Sequence, residues 1–123
     1  MPLTFTIDPV RKVVFTRGWG TVSIEDVHRS ATEIRNHPDF HEDFAWLADL
    51  EEVTGTDATY HALSKFAKSG IGDPFSRRSH RAMFATNNFI FGFCRMYQTL
   101  QDDNEHFGVF RTREEAMRWL SLE

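Results

Sequence analysis

Three features of this 123-residue chain have residue types or spacing that could support chemistry. "HPDFH" places His37, Asp39 and His41 at alternate positions, the residue types of a metal trio. Pro38 keeps that segment in a loop and the spacing offers no fourth ligand, so solvated loop residues are the favoured reading and no metal is expected. Asp49 ends an apolar run, where a carboxylate could serve as a general base or metal ligand; such an Asp more often accepts N–H groups of the following turn. Cys94 is the single cysteine, inside an apolar helical stretch where only Arg95 is near enough in sequence to lower its pKa, and it reads as a small buried apolar residue. His61 falls on a polar helix face and His80 at a strand start, neither with a visible partner. No serine sits in a nucleophile elbow. No phosphate loop or dinucleotide fingerprint is present, since "GIGDP" lacks both the spacing and the preceding strand. Neither a catalytic residue nor a cofactor is expected, and the chain reads as not an enzyme.

The composition narrows the class further. A net charge of -4 argues against nucleic-acid binding, which leaves a basic footprint. No stretch approaches the roughly twenty consecutive apolar residues of a membrane-spanning helix. "MPLTFTIDPV" alternates apolar and polar residues with no basic segment before an apolar run, and is expected to be a first strand and not a signal peptide. A lone cysteine suits a reducing cytoplasm. Twelve Phe exceed what an ordinary core of this size requires, and the surplus is available to line an apolar pocket or a subunit contact.

These residues must be positioned by the elements that the periodicity predicts. "LTFTID" alternates, with Leu3, Phe5 and Ile7 on one face and Thr4 and Thr6 on the other; "VVFTR" follows a turn as its antiparallel partner, and Gly18 and Gly20 are expected to break that strand around Trp19. Ser23 and Asp26 resemble a capping box for a helix to about Asn36, buried through Ile24, Val27, Ala31 and Ile34. "FAWLADL" reads as a central strand. Asp57 is expected to cap a second helix, with Thr59, Ala62, Leu63 and Phe66 inward, His61, Lys65 and Lys68 outward, and "SGIGDP" ending it. "HRAMFAT" is the next strand, Asn87 and Asn88 start a third helix, "HFGVF" is the last strand, and Thr112 with Glu115 caps the last helix. The order ββαβαβαβα predicts a single α/β domain: a mixed, mostly parallel five-stranded sheet packed with four helices. Its site loops would be Gly18–Ser23, Leu50–Asp57, Thr86–Asn88 and Phe110–Thr112.

The third helix is the most informative. On a wheel, Phe89, Phe93, Met96 and Leu100 form the expected core stripe with Tyr97 beside it, Ile90 and Cys94 on its flank, and Phe91 on the opposite face near Arg95, Gln98 and Asp102. That arrangement leaves Phe91 without room in the domain's own core. Packing against a neighbouring helix, a homodimer contact and an apolar ligand would each cover it. Phe89, Ile90, Phe91, Cys94, Arg95 and Tyr60 are therefore the candidate ligand or interface residues.

"GWGTVSIEDV", "WLADLEEVTG", "GFCRMYQ" and "VFRTREEAMRWL", in that order over nearly the whole chain, resemble the SpoIIAA-like, or STAS-like, superfamily, closest to a bacterial group of small stand-alone members. Anti-sigma-factor antagonists of that superfamily carry an Asp–Ser pair before the second helix, with the serine phosphorylated by a partner kinase. Asp57 matches the aspartate, but Ala58 stands where the serine would be, Thr59 follows, and Tyr60 replaces a small residue. Alanine cannot accept phosphate. The resemblance thus implies a non-catalytic binding module, which is expected to be a homodimer and to bind an apolar small molecule or lipid, or a protein partner; the alternative is an antagonist-like regulator without the usual serine.

Overall fold

The structure, a computed structural model, describes residues 2–68, 74–76, 78–101 and 105–122. β1 (Leu3–Asp8) and β2 (Val13–Val22) form an antiparallel hairpin. Asp8 builds its turn, accepting the N–H groups of Val10 and Arg11 while the Arg11 guanidinium donates to it at 2.8 Å. The bond from the Arg11 side chain is the first reason that the Asp8 carboxyl titrates below the usual carboxylate range. Thr4 and Thr6 are exposed and Leu3, Phe5 and Ile7 half-buried, as the alternation requires.

The remaining elements alternate: α1 (Ile24–Arg35), β3 (Ala45–Thr56), α2 (Tyr60–Lys68), β4 (Arg81–Phe84), α3 (Asn88–Thr99), β5 (Phe107–Phe110) and α4 (Arg113–Trp119). The strands lie in the order β1-β2-β3-β4-β5, with every pair from β2 onward parallel. Each new strand is added on the same side of its predecessor. Right-handed crossovers repeated in one direction place every connecting helix on one face. α1, α2 and α3 therefore share a face, and α4, which follows the last strand, packs on the other. β3 shows the division: Leu47 joins Ala82, Phe84 and Ala116 of α4, whereas Trp46 and Ala48 point towards the three helices.

Local chemistry starts most helices where the sequence predicts. Ser23 and Asp26 form the reciprocal capping box of α1, Asn87 accepts the N–H groups of Phe89 and Ile90, and the Thr112 hydroxyl accepts that of Glu115. The end of α2 predicted at "SGIGDP" lies outside the described residues, apart from Pro74.

Two predicted breaks are instead one bulged ladder. β2 continues through Gly18 and Gly20 to Val22, and β3 continues through the polar "EEVTGT" to Thr56. These extensions pair with each other, with register shifts between Arg17 and Trp19 and between Gly20 and Thr21. Two residues of β2 span three of β3 at the first shift, so Leu50 and Val53 both reach the helical face although three positions apart. Gly20 takes the left-handed conformation at the second shift, with φ +61. The segments expected as loops at Gly18–Ser23 and Leu50–Asp57 are therefore mostly strand.

Candidate functional site

Between the sheet and its three helices lies a cavity of about 160 Å³. Thr16, Trp46, Ala48 and Met83 line it from the sheet; Ser30 and Ala31 from α1; Leu63 and Phe66 from α2; and Ile90, Phe93, Cys94 and Tyr97 from α3. Ala48 of the sheet and Ala31 of α1 both line it with small side chains, where larger ones would fill more of the space. Among the described residues no Asp, Glu, Lys, Arg or His lines the space. Its polar character comes mainly from hydroxyls. The Trp46 indole N–H donates to the Thr16 hydroxyl oxygen at 2.8 Å, and Ser30 is only 7% exposed. A dry apolar cavity of roughly 150 Å³ is large enough to hold a benzene ring.

α3 presents a different stripe from the one predicted. Ile90, Cys94 and Tyr97 are buried against the sheet, whereas Phe89 is 52% exposed. Phe93, Met96 and Leu100 are half-buried beside Leu63 and Phe66 of α2. Phe91, expected to have no room in the core, is half-buried against the cluster around Val53 and Ile90, under the Arg111 guanidinium. Two apolar stripes, one position apart, run along this helix. The helix lies between α2 and β5 with both flanks covered, so its contact surface is wider than one stripe. Arg95 is exposed; Asp102, expected near Phe91, lies outside the described residues.

Cys94 lies on this wall and is 3% exposed. Burial pushes its thiol up to about 12, so at neutral pH it is an apolar, un-ionised surface for the cavity.

The turn before α2 also differs from expectation. Asp57 does not cap α2: its carboxylate accepts the N–H of Ile24 at 3.0 Å, tying this turn to the first residue of α1. Thr59 is the cap, its hydroxyl accepting the N–H of Ala62 at 3.1 Å, and it is exposed, not inward. Ala58 is half-buried and lines the cavity, with its N–H donated to the Thr56 hydroxyl. Tyr60 is 61% exposed at the start of α2.

The remaining candidates lie apart from the cavity. Asp49 accepts the N–H of Glu51 at 3.1 Å and pairs with Arg113 at 3.0 Å, on the α4 side of the sheet. His37 and His41 accept the N–H groups of Asp39 and Asp43 through Nδ1, each closing its own turn. Among the described residues no three His, Cys, Asp or Glu side chains converge where they could hold a metal ion. His61 and His80 are exposed, and the His80 ring meets His106 and Trp119 edge-on. No helix among the described residues is long and apolar enough to cross a membrane.

Ser30, Thr16 and Ala48 were not singled out from the sequence. The signal was there for Ser30: it falls between Val27 and Ile34 on the inward stripe of α1, where a hydroxyl is out of place.

No protein-family model and no curated protein matches the sequence. Among solved structures, the chain is similar to an uncharacterised protein of the DUF3478 family with a SpoIIAA-like fold from Shewanella loihica. The match has a TM-score of 0.60 at 18% identity and covers 96% of this chain and 93% of that one. The hairpin-led, mostly parallel sheet, with α1, α2 and α3 on one face and α4 on the other, is thus a SpoIIAA-like fold.

Proposed function

We propose that this chain is a non-catalytic, cytoplasmic binding module whose ligand is an apolar small molecule or the apolar part of a lipid. The observation that supports this reading is the cavity of about 160 Å³ beneath α3, lined by no charged side chain among the described residues. Filling such a space gains the contacts its lining otherwise lacks and removes ligand surface from water. Titrating benzene into isotopically labelled protein is the direct test. Saturable shifts of the amides of Ala31, Ala48 and Cys94 are expected, and Ala48→Leu, which places three more carbons in the space, should abolish them. Absence of saturable shifts in the unmodified protein would refute the reading. Native mass spectrometry of purified protein would also reveal a retained ligand or a dimer mass.

A second reading, self-association or a protein partner, is favoured by the exposure of Phe89 and Tyr60, in the first turns of α3 and α2, which both follow the carboxyl ends of parallel strands. A homodimer covering these rings would lose association in Phe89→Asp while keeping its melting temperature. Sedimentation equilibrium reads the first and a thermal melt the second. An antagonist-like regulator would have to act without a hydroxyl at position 58, where an alanine lines the cavity.

A further inference from the structure

Building on the cavity reading, we infer that the ligand is electrically neutral and carries one hydrogen-bond-accepting oxygen, such as a ketone, aldehyde, ether or alcohol on a small ring or short chain. Ser30 selects for that oxygen. Ser30 is 93% buried by its 7% exposure, lines the cavity, and its hydroxyl makes no hydrogen bond to any described residue. A serine within a helix normally returns its proton to the carbonyl four residues back, as Thr32 does here to His28 at 3.0 Å. Ser30 does not, so its hydroxyl is available to a group in the cavity it lines. Thr16, 4% exposed on the same cavity, already accepts the Trp46 indole N–H, and its own O–H proton has no described acceptor. Ser30 and Thr16 thus offer hydroxyl protons to the cavity among mostly apolar walls.

The same lining argues against an anion. With no cationic side chain on the cavity among the described residues, a carboxylate would be buried without a counter-charge, which costs far more than a single hydrogen bond returns. A fatty acid would have to leave its head group outside, whereas a neutral carbonyl compound enters whole.

Five chemical-shift titrations test this: cyclohexanone and methylenecyclohexane, which share one shape and differ in C=O against C=CH₂, each against the unmodified protein and Ser30→Ala, and cyclohexanecarboxylate against the unmodified protein. The ratio of cyclohexanone to methylenecyclohexane affinity should fall about fivefold in the variant, as expected for losing one neutral hydrogen bond. Methylenecyclohexane affinity should stay within about twofold, which also reports that the cavity is intact. Cyclohexanecarboxylate should bind the unmodified protein at least about 100-fold more weakly than cyclohexanone. An unchanged ratio, with methylenecyclohexane still bound, would overturn the role of Ser30 and leave the cavity reading standing. A carboxylate binding as well as the ketone would overturn the neutrality. If neither neutral probe bound, both readings would fall together.

Discussion

The Arg111 guanidinium carbon lies 3.8 Å from the centroid of the Phe91 ring, while the same side chain donates to Asn88 at 2.7 Å and to the Thr86 carbonyl at 3.3 Å. The end of β5 is thereby clamped onto the first turns of α3. A cation at this distance over a ring face is attracted by the ring quadrupole, by about 0.5–1 kcal/mol at a partly exposed site. Phe91→Ala should therefore lower unfolding stability by about 1–2 kcal/mol, burial included, and Phe91→Asp should lower the melting temperature further. A double-mutant cycle with Arg111→Ala in urea should give about 0.5–1 kcal/mol of coupling. Unchanged melting in Phe91→Asp would place the ring outside the fold's own packing.

The turn before α2 makes two separable contributions. Thr59→Ala should cost about 1 kcal/mol by leaving the Ala62 N–H uncapped, and Thr59→Ser should restore most of it. Asp57→Ala should cost a similar amount through α1, whose Ile24 N–H loses its acceptor. Hydrogen exchange distinguishes them: protection falls first in α2 for the former and at the start of α1 for the latter.

Cys94 predicts an alkaline limit. Its folded pKa, about 12, lies above the unfolded reference of 9.0. Above pH 9 the unfolded chain loses this proton and the folded one keeps it, so stability falls as pH rises from about 9 towards 12. Below pH 9 the contribution is fully present. Melting temperatures between pH 8 and 11 should drop more steeply in the unmodified protein than in Cys94→Ala. In the native protein a disulfide reagent should label the thiol only as fast as the cavity wall opens, so labelling should slow when the cavity is occupied.

Gly20 tests the bulged ladder. With φ +61, Gly20→Ala should destabilise by about 1–2 kcal/mol, although no heavy atom lies within 4 Å of the added carbon. Gly18→Ala should be destabilising for another reason, since its added carbon would meet Val53 at 3.0 Å and Leu3 at 3.2 Å. Urea midpoints of the two variants check both, and a neutral Gly20→Ala would mean that the backbone there relaxes out of the left-handed region.

What the sequence by itself determined was local. Ser23 with Asp26, Asn87, and Thr112 with Glu115 announce helix starts because a side-chain oxygen two or three residues before an unpaired N–H satisfies it whatever the rest of the chain does. The alternation of Leu3, Phe5 and Ile7 and the order of elements were legible for the same reason, and the order limited the topology through crossover handedness. Tertiary structure alone decided which of the two apolar stripes of α3 meets the sheet, because that depends on α2 and β5 filling its flanks. It also paired Gly18–Val22 with the polar end of β3: each segment alone reads as irregular, and only their mutual hydrogen bonds make them strands. Asp57 could not be assigned from sequence, since the N–H it satisfies belongs to a helix 33 residues earlier in the chain. The cavity, finally, is a difference of volumes between layers. Ala31 and Ala48 are ordinary residues in their own segments, and even the misplaced hydroxyl of Ser30 does not say that space lies beside it; only the packing of the helices on the sheet leaves that space.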